Sequence, residues 1–357
     1  MEPWRPVEIC SVGMVTAVGL TARSTAAAVR AGIARTRLSP MLNKRFKPFI
    51  TGFLEEEHLP PIDAGLAEWA SRAPIRHQRL LRLATGALQE AAQGLSSPLP
   101  LLLAVPESRA DGTTAPDAAF LELLATQSGI PLDLRHSRLF PQGRAGGLLL
   151  LREAQRLLVG HRVPYVLVGG VDTYLDLRLL TALDVEDRLL AEGLSDGFVP
   201  GEGAAFLCLR LADTGRRAGP APLARICALG QGREEGHRSS TKPYRGEGLA
   251  AAFQEVFQQW DGRGRKVQGV YTTFNGENFW AKEWGVASLR HARYFADPLR
   301  VEHPVECMGD PGAALGPMLM ALASLGLSKG YREGAWLAWC SSDQEERAAV
   351  IIEGIAA

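Results

Sequence analysis

The sequence predicts an α/β fold in which layers of helices cover the sheets. Short apolar, β-branched runs alternate along the chain with segments whose apolar residues repeat at helical spacing. One run, residues 165–170, is apolar without alternation, which is typical of a strand buried on both faces. With 357 residues, 46% of them hydrophobic, the chain can form one large domain or two closely packed ones. These observations together favour layered α/β architecture.

The strands and helices follow from these patterns in order. Strand composition is found at residues 7–18, 101–105, 165–171, 204–211, 224–229, 267–274 and 335–340. Helical segments are predicted at residues 21–33, 76–95, 116–129, 143–158, 246–260, 279–295 and 311–328. Thr21 is the predicted N-cap of the first helix. The uncharged segment 311–328 approaches membrane-spanning length, but its two prolines, three glycines and two serines favour a buried core helix.

Charge and cysteine content exclude several classes of protein. Lys+Arg and Asp+Glu are both 39, so the zero net charge does not predict binding to nucleic acid or to a membrane. The five cysteines lack CxxC spacing, so neither a disulfide framework nor a metal site is predicted. We expect a cytoplasmic protein, since the N-terminal residues do not resemble a secretory signal. We also expect no cofactor.

A polar stretch rich in Gly and Pro at residues 210–225 marks the expected division of the chain. We place the boundary so that residues 1–215 form one half and residues 216–357 the other. A second charged, glycine-rich stretch, residues 230–248, is interpreted as a surface excursion.

Three stretches resemble the β-ketoacyl synthase branch of the thiolase-like condensing enzymes. They are EICSVGMVTAVGLTARSTAAAVRAGIA (residues 8–34), YVLVGGVDTYLD (residues 165–176) and LSDGFVPGEGAAFLCL (residues 194–209). The third carries the most specific motif, with Asp196, Phe198, Gly201, Glu202 and Gly203 matching the family signature. The resemblance implies a thiolase-like five-layered αβαβα fold of two similar halves with central mixed sheets. It also implies a homodimer with the active site between the halves.

The catalytic residues of that family are replaced in this sequence. Counting back from residues 169–170, the nucleophilic Cys of the family falls on Arg144; a shift by one residue places Gly143 there instead. The two catalytic His positions compare with Asn275 and Asp310. A guanidinium stays protonated and cannot form a thioester, so these vestigial positions predict loss of the usual condensation.

Arg144 at a helix start opposes the helix dipole, so we expect an acidic group beside it. Glu277 and Asp310 are the expected internal partners, because the resemblance places their loops at the same pocket. A bound anion or a solvent-facing side chain are the alternatives. Glu277 and Asp310 are also considered as an acid/base pair. The other predicted pocket residues are Gly143, Ala145, Gly146 and Cys307, of which Cys307 is considered as a replacement nucleophile. The signature loop is interpreted as structural.

Two hypotheses for function follow. The first is a catalytically degenerate synthase homologue that acts as a dimeric scaffold, adaptor or partner subunit for a synthase or an acyl carrier protein. The NGE at residues 275–277 also resembles synthase-like proteins encoded beside type VI secretion effectors, which implies an effector accessory role. The second is an enzyme that binds acyl thioesters and transfers, decarboxylates or hydrolyses without a Cys nucleophile. In that case backbone N–H groups at residues 143–145 would form an oxyanion hole.

Overall fold

Two arrays of five strands with the same connectivity build the protein. The computed structural model describes residues 3–95, 97–109, 111–161, 163–191, 195–212 and 219–355. Within these ranges the elements of the first half are β1 (Val7–Thr16), α1 (Ala22–Arg30), β2 (Arg37–Leu42), β3 (Pro48–Thr51), α2 (Ala67–Ala70), α3 (Ile75–Ala91), β4 (Leu101–Ala104), α4 (Phe120–Ser128), β5 (Arg138–Phe140), α5 (Gly143–Leu149), α6 (Leu151–Gly160), β6 (Val166–Thr173), α7 (Leu177–Val185) and β7 (Glu202–Leu211).

The second half repeats the larger elements of the first. Its elements are β8 (Ala224–Arg233), α8 (Glu247–Gln259), β9 (Val267–Tyr271), α9 (Asn278–Arg290), β10 (Phe295–Glu302), α10 (Val305–Met308), α11 (Leu315–Ser328), β11 (Ala335–Ser341) and β12 (Glu346–Glu353). The predicted boundary between residues 215 and 216 lies outside the described residues.

The strand order shows the repeat directly. It is β5-β4-β6-β7-β1 in the first half and β10-β9-β11-β12-β8 in the second. In each half the first three strands run parallel, and the last two each run antiparallel to the strand before them. A short antiparallel pairing of β1 with β8, residues 7–9 with residues 224–226, joins the two arrays. The predicted pair of similar halves with mixed sheets is therefore confirmed.

Five layers result from the positions of the helices. α3 and α4 cover the outer face of the first array, and α8 and α9 cover the outer face of the second. α5 and α11 lie between the arrays and contact strands of both. The predicted core helix is confirmed in α11, which is buried along almost its whole length. Among the helices that the structure describes, none is both long and apolar enough to span a bilayer.

Local sequence explains where several elements begin and end. Thr21 caps α1 as predicted, accepting a hydrogen bond from the N–H of Ser24 in a reciprocal capping box. Gly129 ends α4 at φ +68, a left-handed conformation that suits glycine. The structure adds β2, β3, β10 and β12 to the predicted strands, and the strand end expected before the helix at residue 143 is β5. The interpretation of residues 230–248 as a surface excursion is wrong at its start, because residues 230–233 complete β8.

Candidate functional site

A buried cluster of charged and polar side chains lies where the parallel strands of both halves end. Carboxyl ends of parallel strands meet at one edge of a sheet, so the residues that follow them converge. Here the two edges face each other across α5 and α11. The residues are Glu107 after β4, Arg144 after β5, Tyr174 after β6, Glu277 after β9, Asp310 after β10 and Asp343 after β11.

Arg144, near the start of α5, is the centre of this cluster. Its side chain is 4% exposed. Nε and Nη2 both donate to Oδ2 of Asp310, at 2.8 and 2.6 Å, and Nη1 donates to Oδ1 of Asp343 at 2.8 Å. Nη2 also donates to the Tyr174 hydroxyl at 3.2 Å. The expected internal ion pair therefore forms with Asp310, and Asp343, which the sequence analysis did not name, is the second partner.

A second arginine, Arg188, completes the network. It follows α7, and its side chain is 2% exposed. Nε and Nη2 donate to the two oxygens of Glu277 at 2.9 and 3.1 Å, and Nη1 donates to Asp343 at 2.5 Å. Glu277, the other expected partner of Arg144, is thus taken by Arg188. Asp343 bridges the two arginines.

Asn275 connects the carboxylates of the network. Its Nδ2 donates to Oδ2 of Asp310 at 2.8 Å and to Oε2 of Glu277 at 3.1 Å. Glu277 also accepts a hydrogen bond from the indole N–H of Trp280, and it forms an ion pair with Arg238 at 3.1 Å. Two of the three vestigial positions, Asn275 and Asp310, are therefore in direct contact, and Asp310 contacts the third, Arg144.

The arginines keep the acidic groups ionised. Burial alone would raise the pKa of Asp343, but Arg188 and Arg144 outweigh it and hold that pKa well below its usual range. Burial likewise opposes ionisation of Glu277, but Arg188 lowers its pKa. Burial would lower the pKa of Arg144, and Asp310, Tyr174 and Asp343 instead hold it well above its usual range. A carboxylate held ionised is no proton donor at neutral pH, which argues against Glu277 as the acid of an acid/base pair.

Little space remains around Arg144. The void lined by Gly143, Arg144, Glu107 and Asp343 measures about 30 Å³, the volume of about one water molecule. A larger cleft of about 440 Å³ lies on the outer side of Glu277 and is lined by Asn275, Gly276 and Val199. Arg144 is not among the residues that line it. Among the described residues, the space beside Arg144 is therefore too small to hold an acyl chain.

Of the other predicted pocket residues, Ala145 and Gly146 serve hydrogen bonding and packing at the start of α5, whereas Cys307 lies on α10. The N–H of Ala145 donates to the Ser342 hydroxyl at 2.9 Å, so this donor of the hypothesised oxyanion hole is already used. Gly146 lies beside Ala104 of β4. Cys307 is buried on α10 in the central core, and burial together with Glu306 raises the pKa of its thiol, which disfavours the reactive thiolate.

The pKa of Glu107 in this cluster is raised toward neutrality. Burial and the neighbouring Asp343 raise its pKa to about 7. Arg144 and Arg109 act in the opposite direction. Glu107 therefore changes charge near physiological pH, whereas the arginines hold Glu277 and Asp343 ionised.

The signature loop holds neighbouring segments by hydrogen bonds. Glu202 accepts from Arg79 at 2.6 and 2.7 Å and from the N–H of Leu54 at 2.7 Å. Asp196 accepts from the N–H of Asn278, at the start of α9. The buried Phe198 ring lies 5.8 Å from the guanidinium of Arg144 and 5.5 Å from that of Arg188. Gly201 and Gly203 lie against the backbone at Gly309 and Val15.

Arg188, Arg238, Glu107 and Asp343 belong to the site but were absent from the sequence analysis. The position of Asp343 follows from the strand pairing of the fold. The residue comes after β11, which pairs in parallel with β9, so its loop must lie beside the loop that carries Asn275 and Glu277. Arg188 lies in an irregular segment between α7 and the signature loop, and its direction depends on tertiary packing.

Comparison with known proteins gives matches to solved structures. No family model and no curated protein sequence matches the chain. The ishigamide ketosynthase/chain length factor matches with a TM-score of 0.75 at 15% identity, over 99% of this chain and 100% of the other. The ketosynthase from module 6 of the bacillaene synthase of Bacillus subtilis 168 matches with a TM-score of 0.79 at 13% identity, over 99% of this chain and 72% of the other. The chain has the thiolase-like ketosynthase fold.

Another solved structure with the ketosynthase fold contains a type II acyl-carrier protein in complex with its ketosynthase. It matches with a TM-score of 0.73 at 14% identity and covers 99% of this chain and 100% of the other. At such identities the likeness shows the fold, and function has to be argued from the site. In this ketosynthase fold, the site between the halves is a closed network of ion pairs. Among the described residues, no group of three or more His, Cys, Asp or Glu could hold a metal ion.

Proposed function

We propose that this chain is a non-condensing ketosynthase-fold protein that acts as a scaffold or partner subunit. The observation that carries the proposal is the ion pair between Asp310 and the buried Arg144, which lies near the start of α5. The resemblance places the nucleophile at this position. A guanidinium neutralised by two carboxylates offers no lone pair for thioester formation, and the adjacent void holds about one water molecule.

The network has a structural purpose under this proposal. Arg144 belongs to the first half, whereas Asp310 and Asp343 belong to the second, so the ion pairs cross the interface between the halves. The division into residues 1–215 and 216–357 is part of the proposal. Buried ion pairs with satisfied hydrogen bonds fix one packing arrangement even where their net contribution to stability is small. Charged groups in the former catalytic position would thus hold the scaffold in register.

A homodimer is included in the proposal. β5 is an edge strand, and its outer edge has no partner strand among the described residues. Unpaired strand edges are sites at which another chain can add. All five cysteines are free thiols, which supports a cytoplasmic location.

The partner is proposed by analogy with the solved structures. One of them is a ketosynthase/chain length factor, and another is an acyl-carrier protein in complex with its ketosynthase. A synthase subunit or an acyl carrier protein is therefore our proposed partner, and a type VI secretion effector is the alternative.

The test is incubation with acyl- and malonyl-loaded carrier protein and coenzyme A. We expect neither a covalent adduct by mass spectrometry nor turnover by thioester release. Light scattering coupled to size exclusion should give the mass of a dimer. An adduct on the protein, or a product that disappears in the Arg144→Ala variant, would overturn the proposal in favour of an acyl-thioester enzyme.

A further inference from the structure

The β2–β3 hairpin has two apolar faces, of which only one is covered. Its inner face, with Met41 and Phe49, packs against Leu179 and Leu183 of α7. The outer face carries Leu38, Pro40 and Leu42 at alternate positions of β2, and the register places Ile50 and Pro48 of β3 beside them. Leu38 and Leu42 are 68% and 53% exposed. An outward sheet face is normally polar, so this apolar face indicates a binding surface.

The loop at the end of the hairpin holds a bulky side chain in an unfavourable backbone conformation. Phe46 is 84% exposed and has φ +58, in the left-handed region that suits Gly or Asn. Asn43 fixes the loop by accepting hydrogen bonds from the N–H groups of Arg45 and Lys47, at 2.9 and 3.0 Å. The N–H of Lys44 donates to Asp184 at 2.5 Å. The loop thus presents an aromatic ring in a fixed position, as a preorganised contact requires.

The hairpin is strongly basic in a protein of zero net charge. Residues 34–53 contain five cations, Arg35, Arg37, Lys44, Arg45 and Lys47, and no acidic residue. Arg37 pairs with Glu55, and Lys44 and Arg45 pair with Asp187, in contacts at the surface. The described contacts bring three acidic side chains, Glu55, Asp184 and Asp187, against the five cations, so the positive charge is partly neutralised and the cations remain in excess. The charge therefore favours an acidic partner.

Two prolines decide how such a partner would bind. Pro40 in β2 and Pro48 in β3 lack a backbone N–H, so they weaken both strands as edges for the addition of another strand. The apolar face remains available, and an amphipathic helix can cover such a sheet face with its apolar side.

We propose that the outer face of the hairpin, formed by Leu38, Pro40, Leu42, Pro48 and Ile50 with Phe46 at its end, binds an acidic amphipathic helix of a partner protein. We call this surface the hairpin face. The apolar side of the helix would cover the leucines and Phe46, while its acidic residues would lie against the surrounding arginines and lysines. This inference names the surface and the partner chemistry of the binding role proposed above, and it rests on that role.

The test measures binding of a synthetic helical peptide with leucines on one side and glutamates on the other. Its counterpart has lysines in place of the glutamates. Leu38→Thr/Leu42→Thr/Phe46→Asn removes the apolar contact, and Leu289→Thr on α9, at a position 78% exposed, is its control. Lys44→Gln/Arg45→Gln/Lys47→Gln removes charge, and Arg263→Gln/Arg265→Gln/Lys266→Gln, in a second exposed basic cluster, is its control. Thermal unfolding checks that every variant is folded.

We expect the glutamate peptide to bind the full chain and to protect residues 37–51 from hydrogen exchange. Each hairpin variant should bind the peptide about tenfold more weakly or worse than the unmodified chain. The loss of affinity in the charge variant should be smaller at high ionic strength, because salt screens the charges that it removes. Both controls should bind like the unmodified chain. Equal binding of the lysine peptide, or equal binding by hairpin and control variants, would overturn the proposal. Binding of the full chain to phosphatidylserine vesicles but not to the glutamate peptide, with loss of vesicle binding in the hairpin variants, would also overturn the proposal. The hairpin face would then be a membrane contact.

Failure here is distinguishable from failure of the proposed function. The peptide assay does not involve Arg144, and the adduct and turnover assays do not involve the hairpin face. A covalent adduct would therefore remove the non-condensing role, whereas unchanged peptide binding would remove only the assignment of its surface.

Discussion

Two guanidinium nitrogens of Arg144 donate hydrogen bonds to one carboxylate oxygen of Asp310, 166 residues away in the chain. Both side chains are buried, at 4% and 0% exposure. The contact joins the start of α5 in the first half to the segment before α11 in the second. These are two of the positions at which the resemblance to the condensing enzymes implies catalytic residues, and the ion pair joins them.

Removing the arginine should destabilise the protein strongly. Arg144→Met leaves Asp310 and part of Asp343 as buried charges without their partner, at a cost of about 3–5 kcal/mol in the free energy of unfolding. Urea denaturation measures this change. The control is Arg156→Met on α6, where the side chain is 68% exposed and the effect should stay within about 0.5 kcal/mol. Equal midpoints for the two variants would show that the network does not stabilise the interface between the halves.

Restoring a cysteine should not restore condensation. In Arg144→Cys the thiol would face the carboxylates of Asp310 and Asp343, which raise a thiol pKa and disfavour the thiolate. By the resemblance, Asn275 and Asp310 compare with the two catalytic histidines of the condensing enzymes, so neither histidine would be present. We expect no acyl adduct from acyl-loaded carrier protein by mass spectrometry, and no condensation product. An acylated Cys at this position would show that the remaining pocket still supports the first step of the reaction.

The Glu107 carboxyl should make stability fall as the pH rises. Its pKa is raised from 4.5 in the unfolded chain to about 7, so the folded protein binds the extra proton between these values. The stabilisation is complete below pH 4.5 and is lost as the pH passes through about 7. Glu107→Gln should therefore match the unmodified protein near pH 5 and exceed its stability at pH 8 by about 1–3 kcal/mol. The free energy of unfolding by denaturant, measured between pH 5 and pH 8, checks this expectation. Glu57→Gln, at an exposed position, is the control. Profiles of stability against pH that run parallel for Glu107→Gln and the unmodified protein would contradict it.

Relief of backbone strain should appear at Phe46. Asn adopts the left-handed conformation more readily than Phe, so Phe46→Asn should stabilise the protein by about 0.5–1 kcal/mol, since the exposed ring contributes little burial. Phe46→Ala also removes the ring but keeps a residue disfavoured at φ +58, and its stability should stay close to that of the unmodified protein. Thermal unfolding of the three proteins separates the two effects. A loss of stability in both variants would mean that the ring is packed against the fold.

Close packing of the two central helices should make Gly147 sensitive to added volume. A Cβ at this position would lie 2.2 Å from Cδ of Pro317 in α11, a distance that requires the helices to move apart. We expect Gly147→Ala to cost about 1–3 kcal/mol or more. At Gly160, at the end of α6, an added Cβ meets no atom within 4 Å, so Gly160→Ala should be neutral or slightly stabilising. Similar unfolding midpoints for the two variants would contradict the close approach of α5 and α11.

Local pattern by itself determined much of the fold. Apolar runs located β4, β6, β7 and β11 to within a few residues, and Thr21 located the start of α1, because burial and capping depend on residues adjacent in the chain. The signature loop was likewise recognisable as a short motif, whereas the replacement of catalytic residues at positions 144, 275 and 310 stays a prediction from the resemblance. The exclusion of a nucleophile at residue 144 needs only the chemistry of a guanidinium.

Tertiary structure decided which charges meet. The sequence offered Glu277 and Asp310 as equal partners for Arg144, and the fold assigned Glu277 to Arg188 and Asp310 to Arg144. Asp343 joined them only because β9 and β11 pair in parallel and end side by side. The apolar outer face of the hairpin was also invisible in the sequence, where Leu38 and Leu42 look like core residues. Pairing and exposure depend on contacts between segments far apart in the chain, and no local pattern encodes those contacts.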